Sequence, residues 1–269
     1  MVRVDETLHV LFYGAFNGNT ALVKRALDSG ANVNCMDMAG MTPLAYAVYG
    51  WHVETAAYLI SRGADVNKPS LYDMRNELYL FILYRPEMDF EPLTAPWELQ
   101  CPAFGKKGHS PLMTAIHVGC AEAFEMLLKA GAWTDYFASD LTYPLLLAAD
   151  KGDEYMVTAL LKKEKDAAQK YAWSEAGIIC TAVAHGRLNV AKRLLEAGFN
   201  PNEITYSGAT PLAVAVEHNR REMVSLLLKW GANTRLRPTF GGRDMGLPVD
   251  NAKDPVIEKM IRAAMKVKK

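Results

Sequence analysis

A chain of 269 residues is long enough to bury a core without disulfide or metal staples. Thirty basic residues against thirty acidic ones leave a formal net charge of zero. That balance removes the chain-wide attraction to nucleic acid or anionic lipid that a basic protein has. Half of the residues are hydrophobic and 22% are charged, a composition that packs and is not that of a disordered chain.

Cys35, Cys101, Cys120 and Cys180 lie far apart with no C-x-x-C pair, so neither a zinc site nor a disulfide framework is signalled. They fit a reducing compartment. The N-terminus lacks the basic start and long apolar run of a signal peptide, and no apolar stretch reaches membrane-spanning length. The expectation is a cytoplasmic protein that is monomeric on its own, with no membrane and no nucleic-acid partner.

In chain order, a first segment keeps Gly18 and Leu22-Val23 but carries Val10 where later segments open a helix with proline. Then Thr42-Pro43-Leu44, Ser110-Pro111-Leu112, Tyr143-Pro144-Leu145 and Thr210-Pro211-Leu212 each predict a helix start, with proline in the first turn. Ala47, Ala115, Ala148, Ala182 and Ala215 share one register position inside those helices, where a small side chain lets neighbouring helices approach. Leu127-Leu128, Leu160-Leu161, Leu194-Leu195 and Leu227-Leu228 supply the bulky face of a following helix. Glycine ends most of these pairs in a left-handed cap: Gly30-Ala31, Gly63-Ala64, Gly131-Ala132, Gly198-Phe199 and Gly231-Ala232.

The punctuation is periodic. Pro43 to Gly63, Pro111 to Gly131 and Pro211 to Gly231 are each 20 positions apart, and a step of 33 separates Gly30 from Gly63, Pro111 from Pro144 and Gly198 from Gly231. This pattern resembles the ankyrin repeat family, whose unit is a β-turn followed by two antiparallel helices. The resemblance implies an all-α ankyrin-repeat solenoid of about seven helix-pair units with short β-hairpin turns and one long insertion. In this reading residues 1–269 form a single domain: an N-terminal cap 5–37, a repeat 38–70, an insertion 71–105, repeats 106–139, 140–173, 174–206 and 207–240, and a C-terminal cap 241–269. Departures are visible: the histidine that the family places after T-P-L is absent, and the fifth unit opens Gly177-Ile178-Ile179 without Thr or Pro.

Pro43 to Pro111 spans 68 positions, so the extra chain is either an insertion or a degenerate repeat. Leu71, Met74, Leu78 and Ile82 share a helical face up to Pro86, and beyond it prolines alternate with Phe90, Trp97 and Phe104 in a pattern that reads as an extended loop.

No phosphate loop, G-x-G-x-x-G, G-x-S-x-G or H-E-x-x-H occurs. No cofactor and no metal are expected, and the chain is not read as an enzyme. Recognition is the stronger reading, because stacked repeats expose hairpin tips and the outward positions of the first helices. Those positions give Tyr13, Phe16, Tyr46, Tyr49, Thr114, His117, Leu147 and Asp150; the tips add Met36, Met38, Tyr136 and Phe137; the insertion adds Tyr72 and Trp97. The partner-binding set is Tyr13, Phe16, Met36, Met38, Tyr46, Tyr49, Tyr72, Trp97, His117, Tyr136 and Phe137. Tyrosine combines contact area with a hydrogen-bonding tip, which suits an interface; the other reading is that these rings pack under the insertion. The expected function is binding of a dedicated protein partner, as an inhibitor or immunity protein. A secreted bacterial effector that binds a host protein is one alternative. An enzyme with His117, Asp150, His185 or His218 as acid/base groups under an inserted lid is the other.

Overall fold

Proline and a hydroxyl residue set the helix starts. In the computed structural model, which describes residues 6–37, 40–70, 108–172, 177–240 and 243–267, Thr42, Ser110 and Thr210 each turn a side-chain oxygen onto the third amide of the helix that follows: Ala45, Met113 and Ala213, at 3.1, 3.3 and 3.3 Å. Each satisfies a donor that the first helical turn leaves open, and the next residue is proline. Asn19 and Asp153 cap two of the second helices in the same way.

Fourteen α-helices result among the described residues, with one two-stranded ribbon, Thr239–Phe240 paired antiparallel to Arg243–Asp244. By contacts the chain divides into two compact units, Met1–Pro144 and Leu145–Lys269. The first holds α1 (Glu6–Phe16), α2 (Thr20–Asp28), α3 (Pro43–Tyr49), α4 (Val53–Ser61), α5 (Pro111–Val118) and α6 (Ala121–Lys129). In it α1, α3 and α5 pack in succession, and so do α2, α4 and α6. The second holds α8 (Glu154–Lys163), α9 (Ala167–Lys170), α10 (Ile178–Ala184), α11 (Leu188–Glu196), α12 (Pro211–Glu217), α13 (Arg221–Lys229) and α14 (Pro255–Val267). There α10 packs on α12, α11 on α8 and α13, and α14 closes against α13. Helix α7 (Pro144–Lys151) begins at the division between the units.

The packing has its cause in side-chain size. Ala47, Ala115, Ala148, Ala182 and Ala215 are all fully buried, and Leu127, Leu160, Leu194 and Leu227 fill the face of the second helices. Small residues at the first-helix contact and large ones at the second let pairs stack closely.

Asparagine ties the pairs edge to edge. Asn34 donates to the Gly63 carbonyl (3.0 Å) and accepts from the Asp65 amide (2.7 Å). Asn67 does the same with Gly131 (3.4 Å) and Trp133 (2.8 Å), and Asn202 with Gly231 (3.3 Å) and Asn233 (2.6 Å). The Asn67–Gly131 bond spans 64 positions of sequence, so the two helix pairs it joins are direct neighbours, with the segment 71–107 inserted between them. Its two ends meet: the Ser70 amide donates to His109 O (3.0 Å) and the Gly108 amide to Ser70 O (2.8 Å).

A second tie runs along the turns between paired helices. His52 Nε2 lies 2.8 Å from Phe16 O, Arg187 Nε donates to Asp150 O (3.4 Å), and Arg220 donates to Val183 O. Each side chain reaches a carbonyl in the last turn of the preceding first helix.

The fifth pair lacks a hydroxyl cap, and the structure supplies one from elsewhere. Gly177 occupies the cap position of α10, and Glu203 of the following turn accepts from the Cys180 amide at 2.6 Å. Cys180 is the third helical residue, so Glu203 serves the same donor that Thr42, Ser110 and Thr210 serve in their own helices. Gly177 is required there: its φ is +62°, and a Cβ would come within 2.7 Å of Thr205 and 3.0 Å of the Glu203 carboxyl.

Candidate functional site

The described members of the expected contact set all fall in the first unit. Helix α3 packs against both α1 and α5 and buries every residue from Pro43 to Val48, leaving Tyr49 as the half-buried one. Tyr46 is therefore corrected: it is an inward residue with no exposed surface. Its ring meets Phe12 and Phe16 edge-on at 5.9 and 6.0 Å, and its hydroxyl donates to Asp37 Oδ2 at 2.5 Å. Asp37 also accepts from the Met41 amide, so the pair clamps the hairpin tip onto α3. Thr114 and Leu147, placed outward by register, are likewise buried. A helix packed on two sides has no continuous outward stripe, and periodicity alone assigns one too many positions to the surface.

The rest lie at or near the surface. Tyr13 is 38% exposed and stacks on His9 at 6.3 Å between ring centres. Phe16, Met36 and Tyr49 are half-buried. His117, also half-buried, sits 6.0 Å from the His109 ring. Tyr136 donates to Gly108 O at 3.0 Å, at the mouth of the insertion, and burial pushes its hydroxyl up to about 12. Phe137 packs on Tyr143 at 5.1 Å. Met38, Tyr72 and Trp97 lie outside the described residues.

Register reasoning on first helices missed the larger exposed apolar groups. Trp51 is 58% exposed, Trp133 55% and Leu141 52%. Trp51 and Leu141 have positive φ, +62° and +63°, and glycine fills the matching places in other pairs: Gly18, Gly119, Gly152 and Gly186 in the turns, Gly40 and Gly208 in the tips. A comparison of the repeats for glycine replaced by a bulky residue would have found both.

In the second unit, His185 Nδ1 lies 3.1 Å from both Asp150 Oδ1 and the Thr181 carbonyl. Asp150 thus pairs with His185, which brings together two of the four residues named as acid/base candidates. The Glu203 carboxyl is pushed up from 4.5 to about 7 by burial, against the pull of the Cys180 and Ile179 amides, and the Cys180 thiol is raised by burial and by Glu203. Among the described residues no group of three or more His, Cys, Asp or Glu could hold a metal, and no helix is long and apolar enough to cross a membrane.

Helix pairs closed by left-handed glycines and joined by hairpin tips define a repeat protein. The chain belongs to the ankyrin repeat family: the pattern described as "Ankyrin repeats (3 copies)" matches residues 3–70 and 145–237, and "Ankyrin repeat" matches residues 107–138. Curated relatives include the phosphocholine transferase AnkX of Legionella pneumophila, 31% identical over 58% of this chain and 15% of its own length. Another is the human transient receptor potential cation channel subfamily A member 1, 26% identical over 85% of this chain and 18% of its own. The Caenorhabditis elegans ankyrin repeat and KH domain-containing protein mask-1 is 26% identical over 58% and 6%. The chain thus spans less than a fifth of each of these relatives. Among solved structures, the human ASB11 ankyrin repeat domain matches with TM-score 0.68 at 23% identity, over 94% of this chain and 96% of the other. The Bcl-3 ankyrin repeat domain matches with TM-score 0.68 at 19% identity, over 94% and 97%. At such identities the likeness is one of fold.

Proposed function

We propose that the chain is a protein-interaction module without catalytic activity of its own, which binds one dedicated protein partner through its first unit. The observation that carries this reading is the surfacing of aromatic side chains where stacking ends. Helix α3 buries everything but Tyr49, its neighbour α1 exposes Tyr13, and Phe16 stays half-exposed beside them. Aromatic groups with a polar tip concentrate binding energy at interfaces. Met36, His117, Tyr136 and Phe137 extend the contact set, with Met38, Tyr72 and Trp97 carried by sequence register alone. The partner is a protein and not a nucleic acid or a membrane, as the neutral overall charge supports. The module works as an inhibitor or immunity-type protein in a cytoplasmic setting. The exposed His185–Asp150 pair is assigned a structural role, tying neighbouring first helices, in place of acid/base work.

The test is capture from a lysate of the source cell with the intact chain and with Tyr13→Ala/Tyr49→Ala as baits, read by quantitative mass spectrometry. One stoichiometric protein held by the intact chain and lost with the double variant is expected. Equal recovery on both baits would place the contact elsewhere, and capture of nothing would remove the binding reading.

A further inference from the structure

The turn between the two helices of a pair needs one residue in the left-handed region, where side chains rarely go. The chain places Gly18, Gly119, Gly152, Gly186 and Asn219 there, all with positive φ, and asparagine tolerates that conformation. At the one remaining turn, between α3 and α4, the residue is Trp51, at φ +62°. Strained backbone persists where the surrounding fold imposes it and where function uses it. Burial does not explain the choice of residue: Trp51 is 58% exposed.

The neighbours on that edge give the site its chemical character. Three residues after Trp51 stands Glu54, and the matching place after Gly119 holds Glu122; both are exposed. Across the turns of this unit and the residues that follow them (17–21, 50–54 and 118–122) no lysine or arginine occurs. An exposed indole is the strongest aromatic partner for a cation, and exposed carboxylates three residues on and at the matching place of the next pair favour the same charge.

We infer that Trp51 is an anchoring residue of the interface, and that the partner segment it receives presents an arginine or lysine flanked by apolar side chains. This rests on the protein-binding reading above and adds to it a second edge and a partner chemistry. Trp51 stands at the far end of α3 from the hairpin tips, so the contact reaches beyond the set that includes Met36, Tyr136 and Phe137.

The experiment uses the full chain as bait for a phage-displayed library of random dodecapeptides, followed by calorimetry with the best synthetic peptide on the wild type, Trp51→Asn and Glu54→Gln/Glu122→Gln. Asparagine is the replacement this fold already accepts at the same place, in Asn219. The enriched peptides should pair basic with apolar residues. Trp51→Asn should weaken binding at least tenfold, and the double Gln variant at least threefold, with the melting temperature of Trp51→Asn equal to or above that of the wild type. Equal affinity for Trp51→Asn, a lowered melting temperature for it, or enrichment of acidic peptides would each overturn the inference. So would a concentration-dependent dimer of the wild type that Trp51→Asn abolishes, since the occupant would then be a second copy. Loss of binding in Tyr13→Ala/Tyr49→Ala but not in Trp51→Asn would sink this inference and leave the protein-binding reading standing; a library that enriches nothing would sink both.

Discussion

Replacing Glu203 by glutamine should change how stability depends on pH while leaving the α10 cap in place. The glutamine oxygen can still accept from the Cys180 amide, as Glu203 does at 2.6 Å, but it never ionises. In the folded wild type, burial raises the carboxyl from 4.5 to about 7. A carboxyl raised on folding binds its proton more tightly in the folded state. Its contribution is therefore complete below pH 4.5 and is lost as pH climbs through 7. That difference corresponds to at most about 3 kcal/mol at 1.36 kcal/mol per pH unit. Urea unfolding from pH 4 to 8, followed by circular dichroism, should show Glu203→Gln and wild type together at the acid end and the variant more stable at the basic end. Groups that titrate alike in both proteins cancel in the comparison. Glu203→Ala, which removes the acceptor, should lose about 1 kcal/mol even at low pH. Parallel profiles for wild type and Glu203→Gln would refute the argument, as would a wild type that gains on the variant with rising pH.

Asn67→Ala should remove both bonds that join the pairs flanking the insertion, lowering stability by about 1 to 3 kcal/mol and speeding amide exchange at Trp133; unchanged exchange would show that the bonds carry no weight. Tyr46→Ala should lower stability by about 3 to 5 kcal/mol, as deletion of a buried ring does, and calorimetry should show a depressed melting temperature. Leu227→Ala, which empties a fully buried place under α13, should lose about 2 to 5 kcal/mol in urea titration.

The repeats were legible because their signals are local. Thr42, Ser110 and Thr210 cap the helix that begins one residue later, and the glycines at 30, 63, 131, 198 and 231 end one, so each reading needs only a few neighbouring residues. The Glu203 cap was not legible: it reaches a helix that starts 25 positions earlier in sequence, and nothing about Glu203 in isolation distinguishes it from a solvated glutamate. Tyr46 was misplaced for a related reason. Helical periodicity separates an inner face from an outer one, but α3 is packed on two sides, and its tyrosine hydroxyl could be buried only because Asp37 was there to receive it. Trp51 lies on no helix face, so periodicity carries no trace of it; its signal is a residue type that disagrees with its own backbone position.

The joined ends of the insertion bear on how this chain tolerates change in length. Ser70 and the Gly108–His109 segment hold each other directly, and Asn67 completes the stack without them. Any stretch of polypeptide between residues 70 and 108 therefore closes a ring whose entropic penalty grows only with the logarithm of its size. Doubling such a ring costs about 0.6 kcal/mol, little beside the stacking it leaves untouched. The position is a natural port, where sequence can be exchanged, shortened or replaced by a whole folded module while the helices on either side keep their register.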